Sequence, residues 1–291
     1  MCSLCRLRRL LAVLGLVVAA CADAGPPMSL ALEPPPPAHV DIPKGVLRVC
    51  ADPNNMPFSN RAGQGFENAI ARIVDHELKR SVEYTWWPQR RGFVRQTLRA
   101  GLCDVVIGVP SRYALTANTR PYYRSTYVFV SRRHGAVASF DDPRLRAMRV
   151  GVTVIGDDYA NTPPVQALAA RGMAANIRGY SIYGDYSQPD PPRDVIDAVA
   201  RGDVDVAIVW GPLAGYFAPK EPVPLALTPV SPNDESPELR MSYAIAVGVR
   251  GGDLAWRDEV DRALTRRQRD IARVLARFGV PTLPLAAEAG G

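Results

Sequence analysis

The chemically most distinctive stretch of the chain is Tyr84-Thr85-Trp86-Trp87-Pro88-Gln89-Arg90-Arg91-Gly92-Phe93, where two indoles stand just before two guanidiniums. Such side chains anchor interfaces more often than any others, because they bury a large area and still offer hydrogen-bond donors. If a strand ends here, alternation sends Trp86 and Trp87 to opposite faces. One then belongs to the core, and Trp87 with Arg90 faces a cleft. Simple packing beneath a helix start is the plainer alternative. The other candidates for binding are Asn54, Asn55 and Phe58 in a turn-rich loop, Arg112 and Arg120, Tyr123 with its neighbours Tyr122, Arg124 and Tyr127, and Trp210. For the asparagines the competing role is turn chemistry.

Catalysis finds no support in these residue types. His39, His76 and His134 are the only histidines, and they stand far apart. C-x-x-C spacing occurs only at Cys2 and Cys5, within the first 20 residues, and H-x-x-x-H does not occur, so no metal site is expected. G-x-S-x-G and a phosphate loop are also missing. Asp157 and Asp158 are adjacent, so they do not read as a facing acid and base. They precede Asn161-Thr162-Pro163, a helix start with a cap and a proline. Such a terminus attracts anions, but two carboxylates beside it favour a cation or a basic segment instead. The alternative is that they merely solvate the turn.

Elements that would position these groups follow from periodicity. Residues 46–51 (VLRVCA) read as a strand, and apolar residues at Phe66, Ala69, Ile70, Ile73, Val74 and Leu78 as a helix. Residues 82–87 give a strand, 93–98 a helix and 103–109 a strand. A second unit repeats the order: strand 149–155, helix 163–171, strand 176–183, helix 194–201, strand 204–210. Repeated strand and helix imply an α/β fold with parallel sheets. Two extended runs, 127–131 and 242–249, stand between the units. If both cross, residues 46–130 form a first lobe, 131–241 a second, and 242–291 return to the first. A Pro-rich stretch fills 219–237, and one long helix is expected over 253–278. Ligand would lie at the carboxyl ends of the strands, between the lobes.

Arg6, Arg8 and Arg9, the apolar run 10–20 and the small residues after it form a secretory leader over about residues 1–20. The run is too short to span a bilayer, which needs about 20 apolar residues. Val18-Ala19-Ala20-Cys21 has the form of a lipoprotein cleavage site with Cys21 as the lipidated residue, whereas Ala22-Asp23-Ala24 has the form of an ordinary one. Both readings stand, and any membrane attachment would be through Cys21. A Pro-rich linker covers 21–45, with four prolines at 34–37. The formal charge is +6, and three of the positive charges lie in the leader, which leaves about +3. That balance, with no basic tract interleaved with aromatics, excludes a nucleic-acid partner. Cys50 and Cys103 remain in the exported chain and are expected to pair; two buried thiols are the alternative.

The order of elements resembles the type II periplasmic solute-binding proteins, and their amino-acid-binding family in particular. The motif residues are Leu47-Arg48-Val49 with Asp52 and Pro57-Phe58, then Gly65-Phe66-Glu67, Gly101-Leu102-Cys103-Asp104 and Pro121-Tyr122. The longer strings ADPNNMPFSN, EYTWWPQRRGFVR, AGLCDVVIGVPS, TRPYYRSTYVFV and IGDDYANTPPVQALAARG resemble one branch. That branch comprises the binding-protein-like accessory factors found with pyrroloquinoline-quinone (PQQ) methanol dehydrogenases.

The resemblance implies a two-lobed fold with two crossover strands and a monomeric, non-enzymatic periplasmic protein. It would engage a PQQ-dependent alcohol dehydrogenase and assist its maturation or activation. It would hold no cofactor itself; quinone and metal would belong to the partner. Departures from the transport branch agree with this. Its Thr-x-x-Arg carboxylate clamp has no counterpart at the family spacing, although Arg112 or Arg120 lie nearby. Trp210-Gly211-Pro212 stands where an amine-binding Asp is usual. The alternative is a solute-binding protein serving an importer of a small polar solute.

Overall fold

The run VLRVCA forms β1 (Val46–Ala51), with Leu47, Val49 and Ala51 turned into the core. We describe a computed structural model of the chain, covering residues 41–155, 162–181, 186–230 and 239–285. The leader, Cys21, Asp157, Asp158 and Asn161 lie outside the described residues. After β1 come a small hairpin, β2 (Asn54–Asn55) and β3 (Ser59–Asn60), then α1 (Phe66–Leu78). β4 (Ser81–Trp86), the one-turn α2 (Phe93–Gln96), β5 (Val105–Pro110), the short β6 (Ala117–Asn118) and the long β7 (Tyr123–Arg132) follow. The second unit contains β8 (Val150–Val154), α3 (Pro163–Ala170), β9 (Ile177–Ser181), α4 (Asp194–Arg201) and β10 (Val206–Trp210). Next are α5 (Gly211–Phe217), β11 (Leu225–Pro229), β12 (Ser242–Val249), α6 (Leu254–Arg266) and α7 (Gln268–Arg277).

The main sheet runs β4-β1-β5-β12-β7-β10-β8-β9. Strands β4, β1 and β5 are parallel, as are β10, β8 and β9. The junction is antiparallel and is made by the two expected crossing strands. β12 pairs with β5 through Ile245–Gly248 and with the first part of β7 through Ser242–Ile245. The rest of β7 pairs with β10 and β11. This is the two-lobed type II periplasmic-binding-protein architecture with two crossover strands. Helices cover both faces. One core gathers Leu47, Phe66, Ile70, Val247 and Leu264; a second, around Phe129, Phe140, Val152 and Leu168, fills the second lobe.

Three details depart from the expected elements. The long helix is two, α6 and α7, meeting at Arg267. The segment after Trp210 folds as α5, with Pro212 at its start, where a proline's missing N–H costs nothing. The Pro-rich stretch contains β11, whose register places Pro229 opposite Val128 at the strand end. There a missing N–H is tolerated.

The base of the first lobe is held by charges. Asp104 is 0 % exposed and accepts from both Arg48 (2.7 Å, twice) and Arg250 (2.8 Å). Arg250, 2 % exposed, also donates to Cys103 O at 2.6 Å and pairs with Asp253 at 2.7 Å. Trp256 Nε1 donates to Asp104 O at 3.3 Å, and Arg80 lies over its ring at 4.4 Å. This network fastens the returning β12 and α6 to β1 and β5. The disulfide Cys50–Cys103 joins β1 to the residue just before Asp104, with the Cα atoms 5.5 Å apart.

A second fastening lies at the far end of the chain. Residues 279–283 run along α5 and β7: Ser125 Oγ donates to Pro281 O at 2.6 Å, and Leu283 N to Arg124 O at 2.9 Å. Here a Cβ on Gly215 would fall 1.9 Å from Gly279 O, so the close approach requires glycine. Gly215→Ala is expected to lose about 1–3 kcal/mol through forced overpacking, measured by urea unfolding. A loss below a few tenths would show that the segment gives way freely.

Candidate functional site

The turn after β1 begins with Asp52, which is 2 % exposed. It accepts from Asn54 N at 2.8 Å and Gln89 N at 2.6 Å. Its third donor comes from the second lobe: the Tyr186 hydroxyl donates to Asp52 Oδ2. Burial, then the bond to Asp52, pushes the Tyr186 phenol well up, so it stays protonated and remains a donor. The Arg90 guanidinium lies 5.1 Å from the centre of the Tyr186 ring. Asn54 Nδ2 donates to Gln188 O at 2.9 Å, and Asn55 Nδ2 braces Gln89 Oε1 at 3.2 Å. Asn54, Asn55 and Arg90 therefore meet in one place, at the carboxyl ends of β1 and β4. Asn54 and Arg90 hold the chain's own segment 186–188, and Asn55 braces Gln89 beside it.

The other expected site residues are placed as follows. Phe58 packs on Phe66 (ring centres 5.3 Å apart) and supports the start of α1. Trp86 is half-buried, stacked on Tyr84 at 4.5 Å with Arg61 over it, whereas Trp87 points outward and is 40 % exposed. Tyr123 is buried against Phe66 and Tyr122. Trp210 packs edgewise on Tyr127 and Tyr243, between the two crossing strands. Arg112 is exposed after β5. Arg120 is not brought to this group: its guanidinium is held by Asp261 at 2.7 Å and Thr265 at 3.0 Å on α6.

Glu67, in the first turn of α1, lies under the same site. A Cβ on Gly108 would fall 2.0 Å from its carboxylate oxygen, and the φ of +91° at Gly108 also demands glycine. Burial, and then the nearby Asp52, raises the Glu67 carboxyl well above its ordinary 4.5. Burial also raises the hydroxyls of Tyr122 and Tyr123, with Glu67 adding to both, and the Tyr122 hydroxyl has no hydrogen-bond partner among the described residues. The folded chain thus keeps a proton that the unfolded chain loses, so stability falls as pH rises above about 4.5. Glu67→Gln is expected to melt at higher temperature than the native chain at neutral pH. The two melting temperatures should converge towards pH 4; parallel curves across that window would refute the assignment.

Asp52, Gln89, Tyr186 and Gln188 were not singled out from the sequence. Asp52 was visible within the motif after β1, but Tyr186 contacts it across 134 residues and no local signal marks it. Among the described residues, no group of three or more His, Cys, Asp and Glu is placed to hold a metal, and no helix is long and apolar enough to cross a membrane.

With this fold and site in view, comparison with known proteins is informative. The chain belongs to the bacterial extracellular solute-binding proteins, family 3, matching that family over residues 47–279. It is 32% identical over 257 residues to Protein MoxJ of Methylorubrum extorquens, covering 83% of both chains. It is similar to the crystal structure of periplasmic binding protein XoxJ from Methylobacterium extorquens AM1, with 36% identity, a TM-score of 0.66, and 82% and 100% of the two chains covered. MxaJ from Methlophaga aminisulfidivorans MPT superposes with a TM-score of 0.71 at 26% identity, covering 81% of this chain and all of that one.

Proposed function

We propose that the chain is a periplasmic binding and accessory protein that engages a PQQ-dependent methanol or alcohol dehydrogenase and assists its maturation or activation. The observation that carries this reading is the filled mouth of the first lobe. Where a small solute would be clamped, Asp52, Asn54 and Arg90 already hold Tyr186 and Gln188. Arg120 is committed to α6. Similarity to MoxJ, XoxJ and MxaJ supports a partner of the methanol dehydrogenase kind. The tagged chain is expected to retain such a dehydrogenase in its apo form, and deletion is expected to lower dehydrogenase activity in cells. No complex, together with unchanged activity on deletion, would overturn the reading.

One observation favours a second reading, a solute-binding protein of an importer. A cavity of about 330 Å³ lies at the ends of β8 and β9, lined by Thr153, Tyr180, Ser181, Pro191 and Asp194 among others. A small polar solute held there would raise the melting temperature. At 100 times its Kd the stabilisation is about 2.7 kcal/mol. A screen of amino acids and organic acids that yields a shift of several degrees selects this reading.

A further inference from the structure

The contacts on segment 186–188 are those of peptide recognition. A buried carboxylate takes a phenol O–H, a guanidinium covers the ring, and an amide donates to a backbone carbonyl two residues on. None of these contacts depends on the segment belonging to this chain. Any peptide that turns as residues 186–190 do, with a tyrosine at its start, offers the same three groups. The socket itself is rigid: Asp52 is fixed by two backbone N–H donors and Asn55 is braced on Gln89. Its present occupant is superficial, with Ser187, Gln188 and Pro189 all exposed.

We propose that the socket formed by Asp52, Asn54, Gln89 and Arg90 is a docking site for a tyrosine-bearing turn of a partner protein, and that Tyr186–Gln188 is an internal stand-in which the partner displaces. The identity of the partner rests on the reading above, but the socket does not. Tethered to the second lobe, the stand-in competes at an effective concentration in the millimolar range, as short linkers give. A free peptide therefore gains little on the native chain. Removing the Tyr186 side chain vacates the socket. The phenol–carboxylate bond is charge-assisted, the stronger kind of hydrogen bond, so the peptide's own hydroxyl should matter.

The test uses a fluorescently labelled peptide of residues 186–193, YSQPDPPR, titrated by anisotropy against the native chain, Tyr186→Ala and Tyr186→Phe. Tyr186→Ala is expected to bind at least tenfold more tightly than the native chain, with Tyr186→Phe between them. A peptide carrying Phe for its Tyr is expected to bind Tyr186→Ala about tenfold more weakly. Equal binding to the native chain and Tyr186→Ala, no binding to either, or indifference to the peptide hydroxyl would each overturn the proposal. Should Tyr186→Ala lack a cooperative melt, the comparison of native chain and Tyr186→Phe decides: binding no tighter to Tyr186→Phe overturns it. The dehydrogenase is absent from this experiment, so failure here and failure of co-purification are separate results.

Discussion

Asp104→Ala is expected to cost about 3–5 kcal/mol of folding stability, the range for breaking a buried ion pair by removing one partner. The reason is what remains behind. Arg250, 2 % exposed, keeps Cys103 O and Asp253 but loses the carboxylate just before β5, and Arg48 loses both of its bonds to Asp104. A guanidinium does not deprotonate to escape burial. The strain therefore falls on the packing of α6 and the end of β12. Urea unfolding followed by far-UV circular dichroism measures it, as a lower midpoint at unchanged slope. A loss below about 1 kcal/mol, typical of an exposed pair, would mean that water replaces the missing carboxylate.

Removing the disulfide with Cys50→Ala and Cys103→Ala together is expected to cost about 4 kcal/mol. The bridge closes a loop with a sequence separation of 53, and the chain-entropy relation gives about 4 kcal/mol for a loop of that size. The sulfurs also sit in a small apolar cluster with Phe93, Val94, Leu98 and Val106, so alanine loses packing as well. Unfolding with and without reductant provides the check on the native chain. Reduced and oxidised forms within about 1 kcal/mol of each other would refute the expected contribution. The two losses should not add, because Arg250 donates to Cys103 O and Asp104 is the next residue. A double-mutant cycle should show coupling of at least about 0.5 kcal/mol.

Where residues alternate or recur by type, the chain was legible. Strands β1 and β12 have the bounds that their apolar runs imply, and α1 has the face that its spacing implies. What escaped has physical causes. The opening of α5, Gly-Pro-Leu-Ala-Gly, has the composition of a turn, yet Gly211 and Gly215 are there because Thr126 O and Gly279 O press against them. Arg267 ends α6 without glycine or proline, so nothing in composition marks the break. Trp86 is half-buried and Trp87 exposed, and the partners of Trp86, Tyr84 and Arg61, are set by tertiary packing that no local pattern marks. The site was half legible. Asn54, Asn55 and Arg90 were named from residue type, while the segment they hold comes from the other lobe. Arg120 was misleading because a basic side chain near a strand end reads alike whether it faces a ligand or α6.

The crossing of residues 279–283 over α5 bears on how the molecule moves. Backbones as close as Gly215 and Gly279 do not slide past each other, and Ser125 and Arg124 bind the same segment from β7. Were the lobes to rotate against each other, that corner would be the part that moves least, and displacement would grow with distance from it, as along a lever. Such a rotation would part Tyr186 from Asp52 first.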